Sequence, residues 1–226
     1  MLAAGGRSTP GADVALEELC RTYWYPLYAY VRRHGHSRED AEDLTQAFFA
    51  RLLEKDYLKG ISREKGKFRA FLLVAVKRFL ANEWDRASSQ KRGGGVRPLS
   101  LDWLDADQRY QINPADTLSP DKLYDRAWAV TVLEQVITRL RDESAAEGKA
   151  RLYEQLKAFL MAGKSDIPYA QAAAALEMTE GAVRVAVHRL RQRYRELLRE
   201  EIAQTLSDPA QVEEEMQALF SALAES

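Results

Sequence analysis

Apolar residues recur at helical spacing along almost the whole chain. In "VALEELCRTYWYPLYAYVRRHG", Leu16, Leu19, Tyr23, Leu27, Tyr30 and Val31 fall on one stripe. In "SREDAEDLTQAFFARLLEK" the stripe is Ala41, Leu44, Phe48 and Leu52. Ser37, followed three residues later by Asp40, gives this second helix a capping-box start. A third stretch, "KFRAFLLVAVKRFLANEWDRA", repeats apolar residues at 68, 71, 72, 75, 76, 79 and 80. That period predicts burial of Phe71 and Phe79, whereas Trp84 fits either core or surface. β-Branched residues are few and no strand-like alternation persists. The first half therefore predicts a compact three-helix unit ending near Lys91.

Composition then shifts. "KRGGGVRPLSLDWLDADQRYQINPADTLSPD" holds a glycine triplet, three prolines and scattered acids, the signature of a linker. Trp103, Leu104 and Tyr110 indicate that part of it packs. Helical period resumes in "KLYDRAWAVTVLEQVITRLRDE", "GKARLYEQLKAFLMAG", "PYAQAAAALEM" and "TEGAVRVAVHRLRQRYRELLREEIAQTL". In the last segment, "DPAQVEEEMQALFSALAES", Asp208 caps and Pro209 takes the first helical position. Val212, Met216, Leu219, Phe220 and Leu223 give it one apolar face. The fold class is all-α: two helical domains, over 14–92 and 122–206, joined by a linker at 93–121, with a C-terminal helical extension at 207–226.

One turn carries candidate chemistry. In "YAQAAAALEMTEGAVRVAVHRLR" a short alanine-rich helix breaks and a second helix begins. Ala172 and Ala173 permit close approach, and Leu176, Met178, Val183 and Val187 would form a shared core. Thr179 is a natural N-cap, with Glu180 favourable in the first turn. This is helix-turn-helix spacing, in which the second helix enters a DNA major groove. Glu180, Arg184 and Val185 would meet base edges. Arg189, Arg191 and Arg193 would hold phosphates, which fix position without reading sequence.

Bulk numbers narrow the classes. The chain has 226 residues and net charge −1, so nucleic-acid binding must come from local basic patches. The single cysteine, Cys20, forms no intrachain disulfide and fits a reducing compartment. No apolar run approaches the roughly 20 residues of a membrane span. The start, "MLAAGGRSTPGA", lacks a signal-peptide layout, and the expected location is cytoplasmic. His34 and His36 lack further ligands at useful spacing, "KRGGG" lacks the Walker frame, and no nucleophile–histidine set assembles. No metal, no cofactor and no catalytic residues are expected; the protein is not an enzyme.

Two separated segments carry a resemblance. "AEDLTQAFFARLLEK", with its D-L-x-Q core, resembles the most characteristic segment of bacterial RNA polymerase sigma factors of the sigma-70 family. "YAQAAAALEMTEGAVRVAVHRLR" is similar to their C-terminal helix-turn-helix. With only these two domains, and no room for the intervening one, the chain resembles the extracytoplasmic-function (ECF) type over about residues 14–206. The resemblance implies that 14–92 is sigma region 2 and 122–206 is sigma region 4.

It also implies roles. Asp40, Glu42, Asp43, Gln46 and Phe49 would bind core RNA polymerase at the β′ clamp helices. Phe68, Arg78, Asn82, Arg86, Lys91 and Arg92 would handle the −10 element. Thr179, Glu180, Gly181, Arg184, Val185, His188, Arg189 and Arg191 would contact the −35 element, while the β flap is a further polymerase partner. A subset with similar C-terminal segments is linked with serine/threonine protein kinases and implies Thr45 as a phosphorylation target. Three positions depart from the family pattern. Glu177 stands where the turn often has glycine, so the turn must change geometry or strain that residue. Arg78 replaces a frequent asparagine and Ala186 a frequent arginine. The rival readings are a helix-turn-helix regulator acting without core polymerase, and a helical adaptor without DNA contact.

Overall fold

The computed structural model describes residues 10–54, 67–89, 108–110, 118–161 and 169–224. Among these the regular elements are all helical. The helices are α1 (Pro10–Arg33), α2 (Arg38–Glu54), α3 (Phe68–Ser89), α4 (Pro120–Ala146), α5 (Ala150–Leu156), α6 (Tyr169–Leu176), α7 (Glu180–Gln204) and α8 (Val212–Ala224). Short 3₁₀ turns follow α5 (Lys157–Leu160) and precede α8 (Pro209–Gln211).

The chain divides into two compact units. One is Met1–Thr131 with Ala203–Ser226; the other is Val132–Ile202. The packing units thus cut across the segment boundaries expected at 121/122 and 206/207. The first part of α4 and all of α8 belong to the same unit as α1, α2 and α3. Charge explains much of this: Arg69 of α3 pairs with Asp125 of α4 and Glu215 of α8. Acids spaced along the later helices thereby tie them to a helix far upstream.

In the first unit, α1 is central. Residues 22–31 are all buried, not only the expected stripe, as befits a helix enclosed on every side. Gly35 ends it with φ 89°, a left-handed conformation that suits a residue without Cβ. α2 then starts as expected: the Asp40 N–H donates to Ser37 Oγ at 3.1 Å, and that hydroxyl donates to Asp40 Oδ2 at 2.9 Å. On α3, Leu72, Val76 and Phe79 are buried, while Phe71 is half-buried. Of the expected packing linker residues, Tyr110 meets Tyr28 edge-on at 6.5 Å and lies beneath the Arg32 guanidinium. Trp103 and Leu104 lie outside the described residues. α8 starts as expected, with Asp208 Oδ1 accepting from the Ala210 N–H at 2.9 Å and Pro209 beginning the 3₁₀ turn. Its apolar face is narrower than expected: Met216 and Leu219 are buried, and Phe220 is 53% exposed.

The second unit is built on Leu156, Phe159, Ala172, Ala173, Val183 and Val187, with Leu176, Met178 and Leu190 packed against them. The two alanines let α6 approach α7 closely, as their size suggests.

Candidate nucleic-acid interface

On α2, Asp40 and Asp43 are exposed and Gln46 is half-buried. Asp40 is engaged by the Ser37 hydroxyl, and Glu42 is ion-paired with Arg38 at 2.9 Å. The outward face of this helix is therefore acidic, with Asp43 its exposed carboxylate nearest the middle. Phe49 is a correction. It is fully buried, 5.8 Å from Phe48 in an edge-on contact, and presents no area to a partner. Its position explains this, because Phe49 lies eight residues after Ala41 and four after Thr45, on the core stripe. Thr45 is likewise buried at 1% exposure, and its hydroxyl finds no hydrogen-bond partner among the described residues. A kinase has no access to that hydroxyl in this conformation.

α3 gathers two of the expected −10 residues at one place. A cavity of about 110 Å³ opens between α2 and α3, lined by Phe48, Arg51, Phe71, Val74, Arg78 and Asn82 among others. Arg78 and Asn82 are exposed at its edge. Arg51 spans the site, 5.9 Å above the Phe79 ring and 3.8 Å from the Glu83 carboxylate. Val74 (48% exposed) and Trp84 (76%) lie uncovered on the same helix. The apolar period alone could not settle Trp84, which sits past the last core position. Phe68 is half-buried, 5.5 Å from Tyr23 and 5.9 Å from Phe71, so only part of its ring stays open for stacking. The Arg86 side chain, Lys91 and Arg92 lie outside the described residues.

Nothing in the sequence assigns Arg69 a role, whereas Lys67 is the last cation of the basic, glycine-bearing stretch "KGISREKGKF", which is suited to lie against a single DNA strand. Lys67 precedes α3 directly, and both cations are bound by the Glu215 carboxylate.

In the second unit, α6 ends in two hydrogen bonds: the Met178 N–H donates to the Ala173 carbonyl at 3.0 Å, and the Glu177 N–H to Ala174 at 3.3 Å. This is a Schellman end, which requires a left-handed residue at its last-but-one position. Glu177 supplies it with φ 56°, so the strain anticipated at this position is present. Thr179 caps α7 through its hydroxyl, which accepts from the Ala182 N–H at 3.2 Å. Beyond the cap, Glu180, Gly181, Arg184, Val185, His188 and Arg189 are exposed. A Cβ on Gly181 would meet only Thr179 Oγ1, at 4.0 Å, so this glycine leaves the backbone open to close approach. The Arg184 guanidinium lies 4.7 Å over the Tyr169 ring and 3.5 Å from Glu180. It is directed, not loose.

Two later arginines differ from expectation. Arg191 turns back and donates from Nε and Nη2 to the Phe159 carbonyl, at 2.9 and 2.6 Å. Arg193 clasps Glu143 and also reaches Glu196 and Glu200. Both fasten α7 within its own unit, because the apolar stripe of Val183, Val187 and Leu190 carries the positions beside it inward. Between the end of α4, α5 and α7 lies a larger cavity of about 600 Å³, with Leu140, Tyr153, Leu156, Met178 and Leu190 on its walls. Arg189 and Arg193 are also among its lining residues.

Among the described residues no three His, Cys, Asp or Glu side chains cluster as metal ligands, and no helix is long and apolar enough to cross a membrane. Residues 19–90, which hold α2, α3 and most of α1, match the family model described as Sigma-70 region 2. No curated protein and no solved structure matches the chain.

Proposed function

We propose, from the sigma-70 region 2 domain that the chain carries, that it is a sigma factor of the ECF type, acting in transcription initiation. The match supports membership of the sigma-70 family, with core RNA polymerase and promoter DNA as partners. Such a protein works by binding and strand separation, not by chemistry.

In this reading 14–92 is region 2 and 122–206 is region 4. The exposed acids of α2, Asp43 foremost, dock on the β′ clamp helices. The α3 face bearing Arg78 and Asn82 holds the −10 element, with the cavity beside them receiving an extruded base. Extrusion costs a few kcal/mol, which contacts in such a pocket must offset. The pair α6 and α7 acts as a helix-turn-helix on the −35 element, with Arg184 suited to guanine and Arg189 to the backbone. The apolar groove of the second unit suits a short helix of the β flap.

Kinase control through Thr45 requires that α2 first be uncovered, so phosphorylation would select an opened state of the unit. The single observation that carries the functional reading is the convergence of Arg78, Asn82 and a cavity on the exposed side of α3, inside the matched domain.

The test is transcription by sigma-free core polymerase over a promoter library with the purified chain added. Start-site-specific transcripts are expected. Asp43→Ala should lower polymerase capture and spare DNA binding, and Arg184→Ala should weaken promoter binding and spare capture. Absence of any start-site selection, with the folded chain at saturating concentration, overturns the reading.

A further inference from the structure

Glu213 and Glu214 face solvent at the start of α8, but Glu215 beside them is 1% exposed. Its Oε1 accepts from Arg69 Nε at 2.9 Å, and Lys67 Nζ lies 2.8 Å from its Oε2. Lys67 also donates to Glu214 at 2.9 Å. Arg69 is held from the other side by Asp125 and lies 4.6 Å over the Trp128 ring. Burial pushes the Glu215 carboxyl up, but hydrogen bonds from Arg69 and Lys67 outweigh it and hold the group below its ordinary range. Asp125 goes the other way: burial outweighs Arg69 and raises it.

The place it occupies suits an anion on independent grounds. α3 is 22 residues long and carries no acid in its first turn, so the positive end of its dipole is uncompensated by its own sequence. Two cations stand at that end. A carboxylate from 146 residues away fills the spot in the free chain. A phosphodiester presents the same charge and the same acceptor geometry to an arginine and a lysine.

We propose that Lys67 and Arg69 form a binding site for the phosphate backbone of the promoter strand handled by α3, and that Glu215 occupies this site in the free chain. α8 is then a competitive mask, displaced when DNA arrives. Asp125 and Trp128 keep the Arg69 guanidinium oriented when Glu215 leaves. This inference rests on the reading that α3 binds promoter DNA.

The experiment measures binding of the full chain to a fluorescein-labelled single-stranded oligonucleotide by anisotropy over a range of salt. Glu215→Gln is expected to bind at least about fivefold more tightly. Its salt slope should stay at the wild-type value, since both chains end with the same two phosphate contacts once Glu215 is displaced, and the gain appears in affinity alone. Glu214→Gln, at an exposed position, should give a smaller gain in the same direction. Lys67→Gln in the Glu215→Gln background should remove much of that gain. A folded Glu215→Gln chain, checked by circular dichroism, whose affinity is unchanged or lower makes α8 a brace and overturns the proposal. If that variant does not fold, an unchanged affinity in Glu214→Gln overturns it instead. Core polymerase pull-down with the wild-type chain reports on the sigma reading separately, since it needs neither Glu215 nor DNA.

Discussion

Arg193 of α7 grips both carboxylate oxygens of Glu143 of α4, at 2.9 and 3.0 Å. Glu200 joins the same guanidinium at 3.1 Å and also receives Arg139 at 2.6 Å. The arginine-rich stretch is thus not uniformly a DNA surface. Arg193→Ala should cost about 1 kcal/mol in urea unfolding, since the pair is about one-third exposed and solvent screens it. Hydrogen bonds from Arg193, against a burial penalty, pull the Glu143 carboxyl below its ordinary value. The stability it brings is present above the unfolded carboxyl value of about 4.3 and is lost as pH falls through the lower folded value. Wild type and Arg193→Ala should therefore converge in stability as pH falls below the lowered Glu143 value, and a gap that persists into strong acid refutes the assignment.

Glu177 closes α6 with φ 56°. A non-glycine residue there costs on the order of 1 kcal/mol or more. Glycine removes that strain but adds its own chain entropy, about 0.5–1 kcal/mol. Glu177→Gly should leave the turn intact and raise stability slightly, by up to roughly 0.5 kcal/mol, whereas Glu177→Ala should not. Thermal unfolding of the two variants decides this. A drop in melting temperature for the glycine variant would sink it.

What could be read from the chain beforehand was local. The caps at Ser37, Thr179 and Asp208 depend on residues within three positions, and all three form. The close packing at Ala172 and Ala173 follows from side-chain size. Glu215 was illegible because it looks like the two acids before it; its partners lie 146 and 148 residues upstream, and no periodicity announces such a pairing. Phe49 failed for a different reason. Its role came from a resemblance, and the stripe of Ala41, Leu44, Phe48 and Leu52 left it out, although i and i+4 spacing from buried Thr45 carries it inward. Arg191 and Arg193 could not be told from Arg189 by charge, only by which side of α7 faces its own unit.

Thr45 and Phe49 separate folding from docking. Phe49→Ala should cost about 3–5 kcal/mol, the usual cost for a fully buried phenylalanine. Thr45→Val removes a buried hydroxyl without a partner and should be neutral or stabilising by about 1 kcal/mol. Thr45→Asp puts a charge into the same enclosed spot and should destabilise the unit by several kcal/mol. A phosphomimetic effect on polymerase capture would then reflect opening of the unit and not added surface charge. Urea titrations of all three variants, beside Asp43→Ala as a surface control, provide the check. A Thr45→Asp chain as stable as wild type would show that the site is reachable after all.

Arg189 and Arg191 stand two residues apart on α7 and should respond to opposite assays. Arg189 is exposed, and in the proposed reading it touches one phosphate of the duplex. Arg189→Ala should weaken binding to every sequence alike and reduce the salt slope by about 0.9. Arg191 gives two N–H groups to the Phe159 carbonyl, so Arg191→Ala strands that acceptor and loosens the end of the 3₁₀ turn. Its loss should appear as about 1–2 kcal/mol of stability, within the range for bonds to a charged donor. Its salt slope should stay at the wild-type value. If Arg191→Ala lowers the slope instead, the guanidinium leaves Phe159 on DNA and the two arginines share one role.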